Sequence, residues 1–292
     1  MLMWDSISKW GRRASDIGAS PPVSPTRDLM LEAVIAHGQV DLAFQPIIDA
    51  GSGRMVGAEA LARSALSRDA ETLFARATSA ALGERLSRLI QRKALRSAAV
   101  WEGALKGLRI SINLLPADIS RPGYERWLLD EVEAAGIDAA RITLEITESA
   151  LLGDHRSVAA RLATLRDAGL SIAVDDFGTG YASLAYLTSL PLDVLKIDRG
   201  LIAQIVQRER DRIVVKALIS LARELGLKVV AEGLETAEQL ALLKDWGCDL
   251  YQGFYGAPPL MHDELTSFAA ASNQAASLFS PAAATRASPR DS

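Results

Sequence analysis

Glu59, Asn113, Glu145, the adjacent pair Asp175 and Asp176, Lys196, Glu232 and Gln252 each lie in or just after a separate short apolar segment of the chain. A charge within such a segment costs several kcal/mol when buried without compensation, so a single case would read as a chance surface strand. A series of this kind is not easily explained that way. Carboxylates brought together repel, raise one another's proton affinity and destabilise a fold unless cations share them. Oxygen donors from Glu, Asp and Asn, without a supporting His or Cys cluster, favour hard ions such as Mg2+ or Mn2+ over zinc. Adjacent aspartates can serve two ions if one carboxylate bridges. Ions ~3.5–4 Å apart then activate water and stabilise both the attacking and the departing oxygen of a phosphodiester. Lys196 is the cation of the set, and two readings stand: it orients the attacking water and holds a phosphate oxygen, or it is a structural ion-pair partner.

Other titratable residues read as structural. His37 and His262 fall near the domain edges and His155 opens a helix, so none is expected as a ligand. Asp154, Asp167, Asp211 and Asp245 read as helix caps or surface ion pairs. Cys248, the one cysteine, excludes an internal disulfide and a Cys-rich zinc cluster, and its WGCDL setting suggests a buried, inert thiol. With 32 Lys and Arg against 36 Asp and Glu, the formal charge of -4 offers no long-range attraction for a DNA or RNA polymer. No apolar run reaches the roughly 20 residues that span a bilayer, and a cytoplasmic location is expected. The start, MLMWDSISKWGRR, has the makings of a short amphipathic membrane or partner contact, but a frayed terminus is the favoured reading.

These side chains need a scaffold that brings together residues distant in sequence. Strands are expected at 40–48, 55–62, 108–114, 141–147, 170–175, 193–198, 228–232 and 249–252. Helices are expected near 70–80, 84–103, 123–135, 155–168, 208–225 and 236–245, with a short one after Tyr181. Strand then helix, repeated, means parallel strands joined by crossovers. Eight strands in roughly 240 residues suit an α/β fold of the TIM-like (β/α)8 type, in which the C-terminal strand ends share one mouth, with an open doubly wound sheet as the structural alternative. The first pair, joined by DAGSGR, is too closely spaced for a crossover, so one strand should run antiparallel. The folded unit is expected at 27–268, between a Ser/Pro-rich flexible segment 1–26 and a small-residue, Pro-broken flexible tail 269–292.

An ordered set of blocks runs along the chain: Glu59-Ala60-Leu61 followed by Arg63, QPI at 45–47, INL at 112–114, LEITES at 144–149, DDFGTGYASL at 175–184, LKIDR at 195–199, AEGLET at 231–236 and QGFYGAPPL at 252–260. In these blocks the chain resembles the EAL domain family of cyclic di-GMP phosphodiesterases over about residues 29–262. The resemblance implies two divalent cations, Mg2+ or Mn2+, held at Glu59, Asn113, Glu145 and Asp175 and at Asp175, Asp176 and Glu232. It implies that Lys196 contacts the hydrolytic water and that Gln252 and Glu235 hold water and ligands in place. Glu148 would anchor the 175–184 loop, and Arg63 and Gln45 would touch the substrate. The implied reaction is hydrolysis of cyclic di-GMP to linear pGpG, by water attacking in line with the leaving 3′ oxygen.

Every acidic, amide and lysine position of that set holds the expected residue type. The segment after Arg63, SALSRDAETLFARA, departs from the family pattern by lacking its usual Trp and His-Pro pair, which bears on substrate affinity more than on chemistry. The alternative is therefore a silent cyclic di-GMP receptor acting through a protein partner, with a protein-interaction scaffold as the third reading. The resemblance also implies a homodimer through the helix after the 175–184 loop, where Leu184, Tyr186, Leu187 and Leu190 either meet a second copy or complete the barrel's outer layer. Regulation is expected through oligomerisation, the tails or a separate protein.

Overall fold

The computed structural model describes residues 27–67, 69–147, 155–178 and 184–278. Eight strands close into a barrel in sequence order: β1 (Asp41–Asp49), β2 (Met55–Arg63), β3 (Arg109–Leu114), β4 (Ile142–Thr147), β5 (Ser171–Phe177), β6 (Val194–Ile197), β7 (Lys228–Ala231) and β8 (Leu250–Tyr251). Pairs from β2 to β8 are parallel, while β1 runs antiparallel to both β2 and β8, as the short DAGSGR connection requires. That turn is closed by the Asp49 carboxylate, which accepts from the Ser52 N–H and hydroxyl at 2.7 Å each.

Outside the barrel lie α1 (Leu29–Ala36), α2 (Ala70–Ser79), α3 (Gly83–Ala99), α4 (Pro116–Ile119), α5 (Tyr124–Ala135), α6 (His155–Asp167), α7 (Leu184–Ser189), α8 (Arg199–Ile202), α9 (Glu209–Glu224), α10 (Ala237–Asp245) and α11 (His262–Leu278). The amphipathic segments form the expected crossovers. In α3, for example, Leu86, Ile90, Ala94, Leu95 and Ala98 recur at helical spacing and are all buried. The start of α10 is fixed by a reciprocal cap, Thr236 bonding the Gln239 N–H and the Gln239 side chain accepting from the Thr236 N–H.

Helix α11 crosses the expected domain end at 268. Its Ala269 is 1% exposed, and its Ser272 hydroxyl accepts from the Met55 N–H at 2.8 Å and donates to the Gly53 carbonyl at 3.0 Å. A segment poor in large apolar residues is ordered here because it is pinned to the β1–β2 hairpin, a tertiary contact that composition does not reveal.

The β7–α10 loop and the end of β8 meet across Gly253. Its φ is +148°, and a Cβ there would come within 2.2 Å of the Leu234 nitrogen, so backbone packs directly on backbone. The Leu234 N–H donates to the Gln252 carbonyl at 3.1 Å and the Gln252 N–H to Ala231 at 2.9 Å. This close approach holds Glu232 and Gln252 beside each other at the barrel mouth.

Candidate metal and substrate site

The barrel brings the dispersed polar residues to one rim. Lys196, in β6, is 1% exposed, and its ammonium lies 2.8 Å from Glu145 on β4, 2.8 Å from Glu232 after β7, 3.0 Å from Asp175 on β5 and 3.5 Å from Glu59 on β2. Asn113, near the end of β3, donates to Glu59 Oε1 at 2.8 Å. The Gln252 amide donates to Glu59 Oε2 at 3.0 Å and to Glu232 Oε1 at 2.8 Å. Seven strands or their ends therefore contribute to a cluster that reaches across almost two hundred residues of sequence.

Successive side chains on a regular strand point to opposite faces, so two neighbouring aspartates should not share a site. The β5–β6 register is broken between Val174 and Phe177, and Asp176 takes a left-handed φ of +56° while its N–H bonds the Asp175 carboxylate at 3.0 Å. With that kink, carboxylate oxygens of Asp175, Asp176 and Glu232 all lie within 4.8 Å of one another. Neither His37 nor His262 belongs to this group, and His37 instead bonds the Ala33 carbonyl at the end of α1.

One ammonium among this many carboxylates leaves an excess of negative charge, which proton affinities register. Burial pushes Asp176 up to about 6, helped by the Asp175 charge. Burial pushes Glu232 up to about 8 despite the pull of Lys196, and burial with the Glu59 charge holds Glu145 well above the usual carboxylate range. Burial also works against ionisation of Glu59, but Lys196 and the hydrogen bonds from Gln252 and Asn113 outweigh it and keep that carboxyl low. Burial alone would lower Lys196, yet Asp175, Glu145, Glu232 and Glu59 together raise it well above its ordinary value.

A divalent ion fits this donor set. All donors are oxygens, negative charge exceeds positive, and Gln252 Oε1 is buried without a hydrogen-bond partner, an acceptor left for something not of the protein. The raised carboxyls hold protons in the folded, metal-free state that the unfolded chain releases near its ordinary values of about 4 to 4.5. Their stabilising contribution is complete below those values and is lost as pH rises through about 6 and about 8. Metal-free protein should therefore unfold at lower urea concentration at pH 8.5 than at pH 5.5. Saturating Mn2+, which displaces those protons, should reverse the trend. Urea midpoints across that pH range in EDTA and in Mn2+ check this.

The remaining expected residues divide. Gln45 pairs with Glu59 across the β1–β2 ladder, and Arg63 closes β2 at the same mouth. Arg63 lines an open groove of about 630 Å3 with Asp41, Ser64, Ala65, Leu66, Ser67, Asp69 and Thr72, so the atypical segment after it forms a wall of mixed polar and apolar character. Glu235 is not drawn into the cluster: it is exposed, and its backbone N–H is held by Gln239 at 2.8 Å. Glu148 and the central loop residues 179–183 lie outside the described residues, as do both segments 1–26 and 279–292. Leu187 and Leu190 are buried in the outer layer, whereas Leu184 is 57% exposed. Cys248 is buried as expected, with burial pushing its thiol up to about 12. A buried polar group behind β3, formed by Ser87, Gln91, Asp118 and Tyr124, was not singled out by the sequence; the available signal was Ser87 and Gln91 inside the apolar stripe of α3.

Comparison with known proteins follows the same outline. A family model described as the EAL domain matches residues 28–259. The cyclic di-GMP phosphodiesterase NbdA of Pseudomonas aeruginosa is 35% identical over 257 residues, which cover 84% of this chain and 33% of that protein. The chain spans about a third of the length of the curated relatives it matches first. Among solved structures, the PaMucR phosphodiesterase in complex with c-di-GMP superposes with a TM-score of 0.72 at 32% identity, covering 81% of this chain and 100% of that one. The manganese and cy-diGMP complex of Klebsiella pneumoniae BlrP1 gives 0.70 at 31% identity, covering 76% and 56%.

Proposed function

This chain belongs to the EAL domain family, and from that premise we propose that it hydrolyses cyclic di-GMP to linear pGpG with the help of two divalent cations, Mg2+ or Mn2+. The observation that carries the reading is the convergence of Glu59, Glu145, Asp175 and Glu232 on Lys196 at the C-terminal mouth of the barrel, with Asn113, Asp176 and Gln252 beside them. A relative solved with manganese and cyclic di-GMP supports the same ligand pair.

Glu59, Asn113, Glu145 and Asp175 would hold one ion, and Asp175, Asp176 and Glu232 the other. Bound ions of this kind activate water and offset charge on the phosphoryl oxygens. Lys196 orients the attacking water, which adds to phosphorus in line with the departing 3′ oxygen; the P–O3′ bond breaks and that oxygen gains a proton. Arg63 and Gln45 steady the dinucleotide, Gln252 holds water and ligands, and Glu148 anchors the 175–184 loop. The protein acts as a homodimer through the region of exposed Leu184, in the cytoplasm, under control of a regulatory partner.

Incubating purified protein with cyclic di-GMP and Mg2+ or Mn2+, then resolving substrate, pGpG and GMP chromatographically, tests the reading. Metal-dependent appearance of pGpG is the expected result. Tight uptake of the dinucleotide with no turnover in either ion would replace it with the receptor alternative.

A further inference from the structure

We propose that the buried cluster of Ser87, Gln91, Asp118 and Tyr124 positions Asn113, and through it the first metal site. This rests on the reading of Asn113 as a metal ligand given above. All four side chains are at most 2% exposed. The Gln91 amide donates to the Ser87 hydroxyl at 3.1 Å, to Asp118 Oδ2 at 3.3 Å and to the Asn113 carbonyl at 3.3 Å. Its own oxygen accepts from the Tyr124 hydroxyl at 2.8 Å, which fixes which end of the amide faces the strand. Ser87 donates to Asp118 Oδ2 at 2.5 Å, and the Leu115 N–H reaches the same oxygen at 3.4 Å.

Two features direct this cluster at the site rather than at packing alone. The β2–β3 ladder ends at the Ala60↔Ile112 pair, one residue before Asn113, and it is Gln91 from the neighbouring helix that bonds the Asn113 carbonyl. Asp118 sits on α4, five residues further on, so the same cluster grips the chain on both sides of the β3 exit. A core satisfied by apolar side chains would avoid desolvating these groups altogether. The cluster instead fixes the backbone from which the Asn113 amide reaches Glu59 at 2.8 Å. Partners one step removed from a metal ligand set its orientation, and losing them commonly costs ten- to a hundredfold in metal affinity.

The test is Mn2+ titration of the purified chain, followed by electron paramagnetic resonance of free ion, alongside thermal unfolding in EDTA. Gln91→Met, which keeps length and apolar bulk, should weaken Mn2+ binding roughly tenfold. Tyr124→Phe, which frees the amide to turn, should weaken it less but in the same direction, and decides the matter if Gln91→Met does not fold. Leu265→Val, a core control in α11 outside the cluster, should lower the unfolding temperature and leave Mn2+ affinity unchanged. If wild type binds Mn2+ and the folded cluster variants bind it equally well while melting earlier, the cluster is structural and this inference is overturned. If wild type takes up no Mn2+, the metal reading itself fails and the inference falls with it.

Discussion

Glu59→Gln should reduce conversion of cyclic di-GMP by about a thousandfold or more, equivalent to ~4 kcal/mol of transition-state stabilisation. The substitution is nearly isosteric, so the loss would not come from a cavity. Glu59 accepts on both oxygens, from Asn113 on one side and from Gln252 and Lys196 on the other. A glutamine must turn an NH2 toward one of those sides and set donor against donor. It also removes a carboxylate whose charge is held ionised by Lys196, Gln252 and Asn113 against the penalty of burial. Asn113 and Gln252, each bonded to Glu59, would then lose their orientation together, so the damage spreads beyond one ligand. Steady-state formation of pGpG at saturating Mn2+ measures it. Turnover within tenfold of wild type would remove Glu59 from the mechanism.

The sequence made the barrel legible because each strand is a short apolar segment with a helix-length amphipathic stretch after it, and because polar residues interrupt those segments near their ends. All eight expected strands are present within two residues of their anticipated bounds. Helices α1 and α11 were not expected, for opposite reasons. LMLEAVIA is too uniformly apolar to display a helical face, and α11 is too poor in large apolar residues; each is ordered by what it packs on. At the site, sequence could place the carboxylates on one rim but not make Lys196 their common centre, which depends on register across β4, β5, β6 and β7. Nor could it foresee how the carboxylates of adjacent aspartates come together with Glu232, since that needs the break in β5. Glu235 lies in the motif AEGLET yet is exposed, with only its backbone engaged by Gln239 in the described contacts, because the loop turns outward to start α10. Gln91 and Asp118 carried no motif at all, and their significance comes from which carbonyl they reach.

Lys196→Met should separate the two roles proposed for this lysine. In the metal-free protein it is the counter-charge for four carboxylates within 3.5 Å. Removing one partner of a buried ionic group while leaving the others typically costs about 3–5 kcal/mol. The carboxyls can recover part of that by taking up protons, so the penalty should be larger at pH 8 than at pH 5.5. Divalent ions would replace the lost positive charge directly, and Mn2+ should return the urea midpoint of the variant to near that of metal-loaded wild type. Turnover should not return with it. Methionine fills the space but donates no hydrogen bond, so on the proposed mechanism the attacking water would lose its orienting group even with ions bound, and a hundredfold or greater loss in kcat is expected. A variant that recovers both fold and rate in Mn2+ would make Lys196 a charge-balancing residue alone. One that recovers neither would mean that the ions bind through Lys196's arrangement of the ligands rather than in place of its charge.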